Sequence, residues 1–157
     1  MAKPTLYVET TIVSYLTAWP SHDLIRAAHQ QVTRDWWETR SEFDLYISQF
    51  VLDEAGAGDP KAAEERLAAL KGIALLDVRP EVRQLAAESL RLGGMPAKAH
   101  VDAVHVAVAA THGVDYLLTW NCTHIANPTM RGKVEAICRT TGFEAPVICT
   151  PVEFMQE

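Results

Sequence analysis

One stretch limits what this chain can fold into more than any other. Residues 97–112, read as a helix, are almost wholly Ala and Val, and a helix that is apolar on every side is one buried between other elements. Yet Asp102 sits in its middle. Asp102, His105, Ala109 and His112 recur at spacings of three, four and three, forming one stripe with Lys98 a turn earlier on the same side. An ionised carboxylate in such a setting is costly unless it faces a cleft, a counter-charge or a metal. A paired or solvent-facing acid on a helix edge is the alternative, and what the rest of the chain brings to the same edge decides between them.

Strand and helix signals alternate along the whole chain. Thr5 to Glu9 reads as a strand with a carboxylate at its C-terminal end, and Thr10 and Thr11 are placed to cap a short helix from Ile12 to about Leu16. Glu9 is then either a site residue, because open α/β sheets build their sites outside the strands' carboxyl ends, or an acid favouring a helix dipole. Asp23 to Arg40 reads as an amphipathic helix with Leu24, Ile25, Ala28, Val32, Trp36 and Trp37 apolar; adjacent tryptophans cannot both point the same way, so one is expected at the surface or in an interface and the other in the core. Asp44 to Ser48 reads as a second strand, followed by a helix in which Phe50 and Val51 face inward. Asp53 and Glu54 project about 100° apart there, so only one of them faces a shared site.

Gly56-Ala57-Gly58-Asp59-Pro60 breaks the chain and is poor as a phosphate loop, lacking a third glycine. A helix from Lys61 to Lys71 with Ala62, Leu67 and Leu70 inward follows, then a third strand over Ile73 to Val78 and a helix from Pro80 that stops at Gly93-Gly94. After the Asp102 helix come a fourth strand, Val114 to Thr119, and Asn121 just beyond it. Thr119 and Asn121 carry side chains able to bind a phosphate oxygen or a metal-bound water. A helix from Thr129 to Thr141, capped by Asn127-Pro128, a last strand over Val147-Ile148-Cys149 and a short tail complete the chain. Such alternation with short connections predicts an α/β fold with a mostly parallel sheet and helices on both faces, in one domain over residues 1–157.

Composition narrows the function classes. A formal charge of −6 argues against a broad basic nucleic-acid surface, although an enzyme that holds cations in an acidic cluster would carry negative charge of its own. Three cysteines without CxxC spacing suggest neither a disulfide framework nor a zinc knuckle but reduced, buried or semi-buried thiols. No apolar run reaches the roughly 20 residues of a membrane span. Met1 to Thr5 leads into a strand with no signal-peptide core, so a cytoplasmic protein is expected.

Glu9, Glu54, Asp102 and Asn121 thus collect at strand ends and adjoining helix turns, and oxygen donors of this kind suit Mg2+ or Mn2+. The order of an acid and a Thr after strand one, an acid in the helix after strand two, Asp102-Ala103-Val104-His105 in an Ala-rich helix and then Leu118-Thr119-Trp120-Asn121-Cys122-Thr123-His124 resembles the PIN-domain nucleases. It is especially similar to the VapC-type toxins of bacterial toxin–antitoxin pairs. The resemblance implies a three-layer α/β/α sandwich, an Mg2+- or Mn2+-dependent ribonuclease, a homodimer and inhibition by a small antitoxin protein.

By position it makes Glu9, Glu54 and Asp102 metal ligands, Thr10 a supporting polar group, and Asn121 the occupant of a place where the family often has an acid. Two departures stand out: the first acid is Glu rather than Asp, and the neutral Asn121 removes a charge that would help hold a second ion. His105 could orient a ligand or touch phosphate, but reads better as a helix-packing histidine. His100 and His124 read as structural or surface residues. The departures motivate an alternative, a PIN-fold protein- or RNA-binding module with weakened or lost catalysis. A phosphatase of the haloacid dehalogenase type would need an Asp nucleophile with another Asp two residues on, which Glu9-Thr10-Thr11 does not offer.

Overall fold

The computed structural model describes residues 2–155; Met1, where the opening segment begins, lies outside them. Five short strands, β1 (Thr5–Val8), β2 (Asp44–Ile47), β3 (Ala74–Leu75), β4 (Tyr116–Leu118) and β5 (Val147–Cys149), pair into one sheet. Their order is β3-β2-β1-β4-β5 and every neighbouring pair is parallel, so the mostly parallel sheet expected is wholly parallel. Among the described residues the helices are α1 (Thr10–Thr17), α2 (Leu24–Trp37), α3 (Gln49–Ala55), α4 (Pro60–Leu70), α5 (Pro80–Arg91), α6 (His100–Thr111), α7 (Pro128–Thr140) and α8 (Pro151–Phe154).

Strand order explains the layers. Moving outward from β1 to β2 to β3 with right-handed crossovers puts α1 to α4 on one face, and the return to β4 and on to β5 puts α5, α6 and α7 on the other. Packing agrees: α1 touches α2, α3 and α4, while α5 touches α6 and α7. The result is the three-layer α/β/α sandwich that the resemblance implies. β1 lies at the centre, with Leu6, Tyr7 and Val8 fully buried. Helix α6 is buried without interruption from Ala103 to Ala110, which accounts for its run of small apolar residues against α5 and β4.

Several local expectations change. Glu9, rather than Thr10 or Thr11, is the N-cap of α1, its carboxylate accepting from the Thr11 amide. Leu67, expected to face inward, is exposed, and Leu24 and Ile25 on the apolar side of the amphipathic helix are 86% and 71% exposed; apolarity alone does not say which face of a helix meets the core. Trp36 is buried and Trp37 half-buried, with the Arg40 guanidinium 4.7 Å from the Trp37 ring centre. The third strand keeps two residues of the six expected, because it is an edge with a single neighbour. The tail forms α8 through a capping box of Thr150 and Glu153. Cys138 and Cys149 are buried and Cys122 is exposed; burial pushes the first two thiols up to about 11 and about 12.

The Gly93-Gly94 link that feeds α6 is fixed by two different constraints. Gly93 has φ +76°, a left-handed conformation, whereas a Cβ on Gly94 would lie 2.8 Å from Ile137 Cδ1 and 3.1 Å from the Ser89 carbonyl oxygen. Gly94→Ala is therefore expected to destabilise the protein by about 1–3 kcal/mol. Gly132→Ala, in exposed α7 surface with nothing within 4 Å, is expected to stabilise by roughly 0.5–1 kcal/mol. Urea unfolding of both variants checks the opposite signs.

Candidate active site

The chain leaves β1 toward one edge of the sheet and leaves β4 toward the other, so the sheet's topological switch point lies between these two strands. Open α/β sheets form their clefts there, outside the carboxyl ends of the strands. Glu9 follows β1 and Thr119 follows β4 at this point, with the Glu9 amide donating to the Leu118 carbonyl at 3.1 Å. The Glu9 side chain is 3% exposed.

Its carboxylate is held by a closed set of donors. Oε1 accepts from the Thr11 and Thr119 hydroxyls, each at 2.5 Å, and Oε2 accepts from the Thr11 amide at 3.2 Å. Both hydroxyls in turn accept backbone amides of the loop after β4: Thr11 Oγ1 takes Trp120 N–H and Thr119 Oγ1 takes Asn121 N–H, each at 2.8 Å. Since each hydroxyl has one proton, these acceptances leave that proton for Glu9. Burial nonetheless pushes the Glu9 carboxyl above its ordinary range, and the field of His105 and the threonine bonds offset this only in part.

Glu54, on α3 after β2, is the second carboxylate. Its Oε1 accepts from Thr10 Oγ1 at 2.6 Å and meets His105 Nε2 at 2.6 Å. Burial raises its carboxyl, but the bond and field of His105 and the Thr10 hydroxyl outweigh that and bring it below the ordinary range. Asp53, its neighbour, instead accepts from Gln49 on the helix surface. Behind Glu54 a buried row continues: His105 Nδ1 lies 2.7 Å from Tyr7 Oη, which lies 2.7 Å from Ser48 Oγ. Burial also raises the Tyr7 phenol.

Among the described residues, Glu9, Glu54 and His105 form a group whose possible ligand atoms all lie within 4.8 Å of one another. Of the residues singled out from the sequence, the structure brings together Glu9, Thr10, Glu54, His105 and Thr119. Asp102 is not in that group: at the first turn of α6 its Oδ2 pairs with His124 Nδ1 at 2.9 Å. Asn121 uses its side chain to accept the His124 amide at 3.0 Å, a turn that presents the histidine to Asp102.

His105 is fully buried, as a packing histidine would be, and yet bonded to Glu54. Tyr7, Ser48 and the contacts of Thr11 and His124 were not anticipated. A signal for Tyr7 was present, since residues two apart on a strand share a face and Tyr7 precedes Glu9 by two. His112, on the same stripe, bonds the Asp77 carbonyl instead.

No protein-family model and no curated protein matches this chain. Among solved structures, VapC20 of Mycobacterium tuberculosis, a toxin that cleaves the sarcin–ricin loop, is similar to it with a TM-score of 0.58. The two are 18% identical over 79% of this chain and 95% of that chain. At that identity the likeness is one of fold: this chain has the VapC-type PIN fold.

The two carboxylates give the cation-free protein a signed pH dependence. Glu9, raised in the folded state, binds more protons folded than unfolded above the ordinary carboxyl range, so stability falls as pH rises through that window. Glu54, lowered, contributes stability that is present above its unfolded value and lost as pH falls through its folded one. Thermal melts across pH should show the first slope vanish in Glu9→Gln and the acid-side slope shrink in Glu54→Gln.

Proposed function

We propose that this protein is an endoribonuclease that hydrolyses RNA phosphodiester bonds with Mg2+ or Mn2+, acting as the toxin of a toxin–antitoxin pair. One observation carries the reading: two carboxylates from different elements, Glu9 just after β1 and Glu54 on α3, meet at the switch point of a VapC-type PIN fold. Their chemistry fits a divalent cation. Both offer hard oxygen atoms, which Mg2+ and Mn2+ prefer, and the buried Glu9 charge lacks a full-charge partner bonded to it, which a cation would supply.

When bound, such an ion supplies the charge that polarises a phosphodiester and acidifies a water molecule. Glu9 and Glu54 would hold it. Thr11 and Thr119 keep Glu9 in one orientation, and Thr10 does the same for Glu54. Asp102 remains the third acid of the set, and its bond to His124 keeps the carboxylate on the α6 turn until substrate or cation competes for it. Asn121 contributes an acceptor for the loop rather than a fourth charge, which favours weak binding of any second ion.

A protein partner is supported by exposed apolar side chains at the α1–α2 corner, where Trp19 is 90% exposed beside Leu24 and Ile25. In this reading the partners are a small antitoxin protein and a second copy of the chain. Among the described residues no helix is long and apolar enough to cross a membrane.

The test is cleavage of structured RNAs by purified protein with Mn2+, with Mg2+ and with EDTA. Cutting is expected with either ion, none with EDTA, and none in Glu54→Gln or Asp102→Asn. A folded wild-type protein, free of copurified inhibitor, that cuts nothing in any condition would transfer the reading to a PIN-fold binding module.

A further inference from the structure

His105 is one of three groups near enough to share a cation with Glu9 and Glu54, but its bonds argue for a different task. Glu54 is an ionised carboxylate in neutral solution and carries no proton, so the 2.6 Å contact requires His105 Nε2 to be the donor. The other ring nitrogen faces Tyr7 Oη at 2.7 Å. In a neutral ring Nδ1 accepts the Tyr7 proton and Tyr7 accepts from Ser48; in a charged ring every arrow along the row reverses beyond Nδ1. Either way both nitrogens are engaged and neither has a lone pair directed at a cation.

The row runs from the interior to the cleft. Ser48, Tyr7 and His105 are each 0% exposed, while the Glu54 side chain is 38% exposed. Its members come from separate parts of the fold: the N-cap of α3, the central strand β1 and the buried helix α6. Both bonds on Glu54, from Thr10 and from His105, fall on Oε1, so the carboxylate is pinned through one oxygen and Oε2 is the atom left for a ligand.

Resting on the metal-dependent reading above, we propose that Ser48, Tyr7 and His105 form a buried relay that positions Glu54 for a divalent cation. His105 is in this role a positioning residue and not a ligand. Hydrogen-bond partners behind a ligating carboxylate typically change metal affinity about 10–100-fold when lost. The arrangement also explains why Tyr7, a polar-tipped residue, occupies the most buried strand of the sheet: its hydroxyl has a partner on either side.

The experiment uses the full chain labelled with 15N, following the histidine side chains by long-range 1H–15N correlation without cation and with saturating Mg2+; His105→Asn assigns the signals. It adds calorimetric Mn2+ titration of wild type, Tyr7→Phe, Ser48→Ala and Glu54→Gln, and electron spin-echo spectroscopy of the Mn2+ complex. The expected result is a proton on His105 Nε2 in both NMR conditions and no directly coordinated nitrogen on Mn2+. Tyr7→Phe, which keeps the ring and loses only the hydroxyl, should bind Mn2+ about 10–100-fold more weakly. Ser48→Ala, one bond further out, should weaken binding in the same direction and serves if Tyr7→Phe does not fold. A Nε2 proton lost on adding Mg2+, a nitrogen coordinated to Mn2+, or wild-type affinity in folded Tyr7→Phe would overturn the proposal. Failure of wild type to bind Mn2+ would instead overturn the metal-dependent reading, and the relay would then stand or fall on the Nε2 proton of the cation-free protein.

Discussion

Everything at this protein's cleft depends on keeping one carboxylate, that of Glu9, almost fully out of water. An uncompensated buried charge is prohibitive, so the fold surrounds it with donors: two threonine hydroxyls and the Thr11 amide in the first turn of α1. Those donors come from the segments that follow both strands at the switch point, and each hydroxyl also accepts an amide of the loop after β4. Satisfying Glu9 and closing the junction between β1 and β4 are therefore one act. The raised carboxyl says that the compensation is incomplete, which is the condition under which a cation has something to gain.

The second carboxylate is set up in the opposite sense. Glu54 is half-exposed and lies below the ordinary carboxyl range through His105 and Thr10. Two acids side by side thus sit in unlike environments, one dry and held by neutral donors, the other wet at its tip and backed by an imidazole. The loop after β4 is anchored from a third direction, where Trp120 stacks on His29 at 4.2 Å and donates through its indole nitrogen to Thr33. That ties the loop bearing Thr119 and Asn121 to α2 of the α1–α2 pair.

Much of the fold was legible because its signals are local. The alternation of short apolar strands with capped helices is written in Leu6-Tyr7-Val8, Leu45-Tyr46-Ile47 and Val147-Ile148-Cys149, and the Ala/Val run of α6 announces a buried helix. Sequence and structure part where burial, not propensity, decides: Leu67, which reads as inward, is exposed, and β3 is cut short by its place at the sheet edge. In the site, Glu9, Glu54, Thr10 and Thr119 are readable as oxygen-bearing groups at strand ends and adjoining helix turns, whereas His105 reads as a packing histidine and its bond to Glu54 is not legible in the sequence. The stripe containing Asp102 and His105 is readable too, but not that these two residues turn to different partners, Asp102 to His124 and His105 to Glu54.

By itself the sequence determined the element types, the parallel α/β class and the presence of carboxylates just beyond strands one and two, because periodicity, caps and turn residues act over a few positions. Only the tertiary structure decided which of those groups meet. The switch point exists because β4 pairs with β1 across more than a hundred residues, and the bonds of Thr119 to Glu9, Tyr7 to His105 and His105 to Glu54 are all made between segments distant in the chain. Hydrogen bonds are satisfied wherever the packed chain brings a donor to an acceptor within about 3 Å, and no local pattern of residues carries that information.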